Sequence, residues 1–408
     1  MASATILPGA PTFSRREIRP RKTPTPSLFS SVPNPGTPGR EPSLFPWQPG
    51  SAERKGMARL AASSPCVQEK RGAEYFLLPA KSLLNRCASR RVPFPWTINP
   101  YRGCEFGCQY CYARYTHEYM ELDGSVFDHK IYVKQNAAQV LAQDIRRHLD
   151  GLTSGVQPEH IAIGTATDPY QPAEREFGVT RAILETLAGE SGLSLSITTK
   201  STLILRDLEL LARIAARSVL SINMTVTTLR PRLARLLEPR APRPDLRLHA
   251  VRKLREAGLA AGVFAMPVLP GLTDDEEGLE ALARAASQAG AQWLGAAVLF
   301  LMPASLKQFL PFLTAKFPRL ARRYCALYGR GAYAPADYQE QIAGRIARLR
   351  AKYGLASRPY LPDAAPRATT AQPALPLRMG TEACPELVQL TAPLRPSNGS
   401  LAAGRGEA

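Results

Sequence analysis

The sequence predicts an α/β fold on a parallel sheet, an open, partial (β/α)6 barrel. Three observations carry this. Between residues 97 and 300, apolar runs of period two alternate with amphipathic stretches of period 3.6, and six such strands can be counted. A helix separates each strand from the next, so the crossovers make neighbouring strands parallel. The pattern lacks the two further units that would close an eight-fold barrel, which leaves the barrel open.

The elements follow in order. Thr97–Asn99 is a short first strand feeding a cysteine-rich loop. Residues 134–149 read as a helix with Ala137, Val140, Leu141, Ile145 and Leu149 on one face. His160–Gly164 is a buried strand, and Val179–Ala188 a helix that turns Val179, Ile183, Leu184 and Leu187 inward. Leu193–Thr199 alternates strictly and is the third strand; Leu205–Ala216 is its helix. Leu220–Thr227 is the fourth strand, and the Leu246–Ala257 helix is capped by Gly258. Leu259–Leu269 ends at a Pro-Gly turn, after which Thr273 or Asp274 can cap a helix running to Ala289. Trp293–Phe300 is the sixth strand. Residues 306–328 and 337–353 read as helices of a small C-terminal extension, the second basic on one face through Arg345, Arg348, Arg350 and Lys352.

Both ends depart from this regularity. Residues 1–72 form a basic, Pro/Ser-rich stretch expected to be disordered, and eleven of its prolines fall in the first fifty residues. Residues 356–408 are Pro/Ala/Thr-rich and expected to be disordered too. The core domain then spans 73–305 and the helical extension 306–355. At 45% hydrophobic and 21% charged, 408 residues can build a full-sized core. Net charge is +18, and residues 1–90 hold 14 Lys/Arg against 5 Asp/Glu. A basic balance suits an acidic partner such as nucleic acid, although an Arg-rich tail in solvent gives the same count. Seven cysteines, three of them clustered, argue against a secreted disulfide framework and for a reducing, cytoplasmic setting. No apolar run approaches a membrane span.

The chemistry concentrates in Thr97–Tyr119, TINPYRGCEFGCQYCYARYTHEY. Cys104, Cys108 and Cys111 are spaced C-x3-C-x2-C, and Gly103 and Gly107 let the loop bend around a bulky inorganic core. Three thiolates satisfy three irons of a cubane and leave the fourth open to an exogenous ligand. The spacing alone also admits zinc, with His117 as the fourth ligand. This motif, with Tyr110 just before the last cysteine, resembles the signature of the radical S-adenosylmethionine (SAM) superfamily. The flanking TINPYRGCEFGCQYCYARYTHE resembles its uncharacterised, DNA-repair-photolyase-like branch, related to spore photoproduct lyase. The resemblance covers roughly residues 74–355. It implies a TIM-like partial barrel of the radical SAM type and a [4Fe-4S] cluster on Cys104, Cys108 and Cys111. It further implies reductive cleavage of SAM to a 5′-deoxyadenosyl radical and an electron donor such as flavodoxin or ferredoxin.

The remaining candidate residues lie at strand ends. After strand two, GTATDPYQPAE places Thr165, Thr167 and Asp168 where the superfamily contacts the methionine amino group. Strand three closes on Thr199 and Lys200, the lysine being suited to the SAM carboxylate. Asn223 and Thr225 on strand four face the lumen, near a ribose. Val268 and Pro270 after strand five resemble the element that contacts adenine. Tyr110, with Tyr112, Tyr115 and Tyr119, can shield a cluster, or with Arg102 and Arg114 stack on a nucleic acid. In LEPRAPRPD, Glu238 and Arg240 are oppositely charged, and Arg240 can meet a phosphate or simply solvent. Cys87 lies outside the motif.

The reaction is less legible. Spore photoproduct lyase has a radical-quenching cysteine near the end of strand two. Here that segment reads IAIGTATDPY, with no cysteine and Tyr170 as the nearest hydrogen-atom donor. Three readings follow: a radical SAM enzyme acting on nucleic acid or a nucleotide, one modifying a protein or small molecule, or a non-catalytic metal-binding module.

Overall fold

The computed structural model describes residues 54–70, 72–87, 92–153 and 158–358. Six parallel strands form the main sheet: β4 (Trp96–Ile98), β7 (His160–Ile163), β8 (Ser194–Thr199), β9 (Val219–Thr225), β10 (Ala260–Val268) and β11 (Leu294–Val298). They lie side by side in chain order. A seventh strand, β3 (Leu84–Arg86), pairs antiparallel with β4 and borders it. The sheet therefore has two edges, β3 and β11, and the barrel is partial, as the strand count requires.

The alternation of each strand decides its two faces. Ile161, Ile163, Leu195, Ile197, Ile222 and Met224 are buried against the outer helices, meeting Ile183, Leu184, Leu187, Leu211, Ile214, Val251 and Leu254 in one core. On the inner face, Trp293 donates its indole N–H to Asn223 Oδ1 at 3.0 Å and packs on Gly262. The lumen near the N-terminal strand ends is thus filled, and the C-terminal ends are left for chemistry.

The structure differs from the sequence reading in four places. Order starts before residue 73: Gly56–Ser63 is helical and Cys66–Lys70 (β1) is a strand. β1 joins a second sheet with β2 (Ala73–Pro79), β5 (Tyr101–Arg102) and β6 (Lys130–Gln135), in the order β1-β2-β6-β5. Its strands are short or lack clean alternation, so their sequence carries no strong period. The helix expected from residue 134 begins at Ala137, because Lys134 and Gln135 end β6. The cap of the Glu276–Gln288 helix is Asp275, which accepts from Gly278 N at 2.9 Å; Thr273 and Asp274 instead tie Leu269 N and Gly271 N in the preceding turn. The span 306–328 is two helices, Pro303–Lys316 and Pro318–Tyr328, separated at Phe317 because Pro318 supplies no N–H. Ala336–Tyr353 is the last helix. Of the tails expected at 1–72 and 356–408, residues 1–53 and 359–408 lie outside the described residues. Among the described residues no helix is long and apolar enough to cross a membrane.

Candidate metal centre and its surroundings

The cysteine loop leaves the C-terminal end of β4 through β5. Gly103 and Gly107 have φ of +86° and +63°. A Cβ on Gly103 would lie 2.7 Å from Lys130 O, so the turn there admits only glycine. Cys104 and Cys108 are buried and Cys111 is partly so. The loop packs Cys104, Phe106, Cys108 and Tyr110 into a second apolar cluster with Leu237, Leu269, Leu299, Phe309 and Tyr324. The helical extension is therefore the outer wall of the cysteine loop. Ser305 donates to Cys111 O at 2.9 Å, and Gln308 to Gln109 Oε1 at 3.0 Å.

Two polar systems hold the loop. On the β7 side, Gln171 donates to Gly103 O at 3.1 Å and accepts from Glu105 N at 2.9 Å. Thr167 donates to the same Gly103 carbonyl at 2.6 Å. Glu105 accepts from Tyr75 OH at 2.9 Å and from Ala173 N at 2.7 Å. On the β9 side, Gln109 N donates to Leu237 O and Arg240 N to Phe106 O. Glu238 accepts from Thr227 Oγ1 at 2.7 Å and from the Tyr110 phenol, and pairs with Arg247 at 2.5 Å. Burial pushes Glu238 up, but Arg247 and Lys200 outweigh it and hold the carboxyl at about 2. Arg114, 1% exposed, ties the loop to residues 124–128 through Gly124 O and Asp128 Oδ1.

The donor set fits an iron–sulfur cluster. Burial is the main cause that raises all three thiols, Cys108 to about 12; Cys108 and Cys111 further raise Cys104, and Cys111 raises Cys108. Lys200 and nearby arginines partly offset this at Cys108 and Cys111. Thiols raised in this way become thiolates readily on a strongly bound cation, and soft sulfur donors suit iron. Zinc would need His117 as its fourth ligand, and among the described residues no group of three or more His, Cys, Asp and Glu is placed to hold a single metal ion. His117 is fully buried against Phe127 and Tyr132, with Nε2 on Lys130 O at 3.0 Å.

The strand-end candidates divide. Asp168 accepts from Tyr170 N, Thr199 Oγ1 and Lys200 N at 2.7–2.9 Å, so it staples β7 to β8. Thr167, Asp168 and Thr199 are thus engaged in internal bonds at the strand ends. Asn223 is likewise spent on Trp293 and Thr198. Thr225 is buried one register step toward the strand end. Thr165 meets Asn99 and its carbonyl accepts from Tyr112 OH. Lys200 differs. Its Nζ lies 5.8 Å from the Tyr110 ring, beside Cys108 and Glu238, and makes no hydrogen bond or ion pair among the described residues. Val268 and Pro270 are buried at the β10 exit. Tyr170 is 1% exposed in the main core, within reach of the charges of Asp207, Glu174 and Arg206. Arg240 turns to Asp128 at 2.5 Å instead of an external phosphate. Arg114 is buried and cannot grip a nucleic acid, and Arg102 keeps its Nε buried. Tyr110 is buried as a shield, whereas Tyr112 and Tyr119 are 41% and 64% exposed. Sequence reasoning passed over Gln171 and Glu105; their only signal was a polar residue beside the motif and another past a strand end.

A family model described as the radical SAM superfamily matches residues 98–283, from the end of β4 to the helix after β10. An uncharacterized protein of Mycobacterium tuberculosis (strain ATCC 25618 / H37Rv) is 39% identical over 296 residues, covering 72% of this chain and 85% of that one. The chain belongs to the radical SAM superfamily. An uncharacterized protein of Methanocaldococcus jannaschii is 29% identical over 181 residues, covering 44% of this chain and 63% of that protein. Among solved structures, spore photoproduct lyase complexed with dinucleoside spore photoproduct aligns with TM-score 0.53 at 15% identity, covering 75% of this chain and 85% of that one. A variant of that lyase with bound AdoMet and the same dinucleoside gives TM-score 0.51 at 17% identity, with the same coverage. Radical SAM enzyme is therefore the class of this protein, and its partial barrel is the one those lyases share.

Proposed function

We propose that Cys104, Cys108 and Cys111 hold a [4Fe-4S] cluster with one iron open to SAM, and that the enzyme acts on a nucleic acid or nucleotide. The observation that carries the cofactor reading is the three-cysteine loop, buried at the C-terminal end of the first parallel strand and fastened from both sides. When bound and reduced, such a cluster supplies the electron that cleaves SAM to methionine and a 5′-deoxyadenosyl radical.

The chain's own residues supply position and dryness. Gln171, Thr167 and Arg114 fix the loop backbone at Gly103 O and Cys108 O, which positions the loop that carries the three sulfurs. Tyr110 and Phe106 keep water off the sulfurs from within, and Phe309 of the extension does so from outside. The Lys200 ammonium, raised by Cys108 and Glu238 against the opposing effect of its burial, stays charged and is placed to pair with the methionine carboxylate. Asp168 sets that lysine by holding its backbone N–H. Val268 and Pro270 offer an apolar wall for adenine. Thr165, Thr167, Asp168, Thr199, Asn223 and Thr225 then shape the strand ends, and the ligand is met by backbone there.

The nucleic-acid reading is supported by the +18 charge and by the dinucleoside held in the lyase structures of the same fold. The strand-two segment has no cysteine, so the substrate radical is not quenched from there. A flavodoxin or ferredoxin is the expected electron source, in a cytoplasmic setting. The test is SAM turnover by reconstituted enzyme with DNA or RNA oligonucleotides, nucleotides or peptides added. Stimulation by oligonucleotide or nucleotide supports the reading; stimulation by peptide alone contradicts it.

A further inference from the structure

Three aromatic rings stand in a row beside the cysteine loop. Tyr112 follows Cys111 directly, and its ring lies 6.5 Å from that of Phe300, just past β11. Phe300 in turn lies 4.5 Å from Tyr333, at 33°. Tyr112 and Tyr333 are each 41% exposed, and Phe300 is half-buried between them. Contiguous exposed aromatics rimmed by polar residues are a recurrent feature of interaction surfaces.

The row is held rigidly. In the loop after the Pro318–Tyr328 helix, Ala332 and Ala334 are buried while Tyr333 between them points outward. Leu301 N donates to Ala332 O at 2.8 Å, and Phe300 and Tyr333 form an antiparallel bridge. At the other end, the Tyr112 hydroxyl is anchored on Thr165 O. A rigid aromatic face loses little freedom when a flat ligand stacks on it.

Charge selects the ligand. Residues 303–353 hold ten Lys/Arg against two Asp/Glu. Several of these cations are engaged internally, among them Arg323 with Asp274, Lys352 with Glu280, Arg345 on Asp274 O and Arg350 on Leu294 O. Lys316, Arg319 and Arg330 are exposed, and Arg330 sits three residues before Tyr333 in the same loop. Basic residues interleaved with exposed aromatics bind single-stranded nucleic acid, the cations on phosphates and the rings under bases.

We propose that Phe300 and Tyr333, continuous with Tyr112, form a stacking shelf for an unpaired base of a polynucleotide, with Arg330 on an adjoining phosphate. This rests on the nucleic-acid reading above and names its binding surface. The shelf begins one residue from the last cluster cysteine, so a strand lying on it presents its next nucleotide to the strand-end opening.

The test uses the reconstituted full chain and short DNA and RNA oligonucleotides carrying fluorescein or 2-aminopurine, single-stranded and duplex. Stacking should quench 2-aminopurine on binding. Tyr333→Leu should remove the quenching and weaken single-strand binding about 5- to 100-fold, with an unchanged salt slope. Tyr333→Trp should keep both signals. Arg330→Gln should lower the slope of log K against log salt by about 0.7. Tighter binding of DNA or of RNA supports the shelf and tells which polynucleotide it takes. Tighter binding of duplex than of either single strand would overturn it, as would Tyr333→Leu binding within two-fold of the parent while its melting temperature is unchanged. Substrate-free SAM cleavage, measured on the same samples, separates the two claims. Oligonucleotide binding that Tyr333→Leu leaves intact sinks the shelf alone, cleavage without any oligonucleotide binding sinks the polynucleotide reading with it, and binding without cleavage sinks the cofactor reading alone.

Discussion

The Glu238 carboxylate and the Arg247 guanidinium lie 2.5 Å apart, each side chain 1% exposed, and the same carboxylate takes the phenol of Tyr110. A buried ion pair thus stands directly behind the residue that precedes Cys111. Removing one partner leaves an uncompensated charge in the core, which costs on the order of 3–5 kcal/mol. Arg247→Met should therefore lower unfolding free energy by about that amount in urea titrations. The double variant Arg247→Met/Glu238→Gln should recover part of it. A loss below ~1 kcal/mol in the single variant would mean that the pair is solvated.

Gln171 connects the β7 exit to the cluster loop through Gly103 O, Glu105 N and Thr167 Oγ1. Gln171→Leu orphans the buried Glu105 N–H, worth about 1–3 kcal/mol, and leaves Gly103 O to Thr167 alone. Reconstituted Gln171→Leu should bind less iron and sulfide per chain than the parent and lose iron faster to a chelator. Full iron retention would show that the motif holds its cluster without this side chain.

The six parallel strands were legible because each combines period-two burial with a helix of period 3.6, as in Leu195 and Ile197 followed by Leu211 and Ile214. The second sheet was not. Tyr101–Arg102 is two residues long, and β6 buries four consecutive residues, Ile131 to Lys134, which leaves no alternation to read. The cluster cysteines were legible from spacing and resemblance. The roles of Asp168, Thr199 and Asn223 were not, because a polar side chain at a strand end looks alike whether it faces a ligand or a neighbouring strand. Only three-dimensional register shows Asp168 spanning to Thr199.

Gly262 faces the Trp293 indole, and a Cβ there would meet ring carbons at 2.3–2.4 Å. Gly262→Ala should destabilise by roughly 1–3 kcal/mol or more, read from thermal unfolding. Trp293→Phe in the same chain should relieve part of the clash although it leaves Asn223 Oδ1 without its donor. Additivity of the two changes would contradict their contact.

His160 sits between Ser194 Oγ and Ser196 Oγ, at 2.8 Å from each, and burial lowers it to about 4. Above the ordinary histidine value near 6.5 the ring is neutral in both folded and unfolded chains, and its contribution is complete. As pH falls from ~6.5 toward 4 the unfolded chain takes up a proton that the folded chain refuses, so stability is lost across that window. The loss is on the order of 2–3 kcal/mol. His160→Gln should flatten this part of the stability–pH curve, and an unchanged slope would assign the acid lability elsewhere.

The most direct test of the whole account is reductive SAM cleavage. Anaerobically reconstituted protein, reduced with dithionite and given SAM, should release 5′-deoxyadenosine and methionine. The variant with Cys104, Cys108 and Cys111 all replaced by alanine should release none. Deoxyadenosine formation that persists in that variant, or that never appears in an iron-loaded parent, would contradict the assignment.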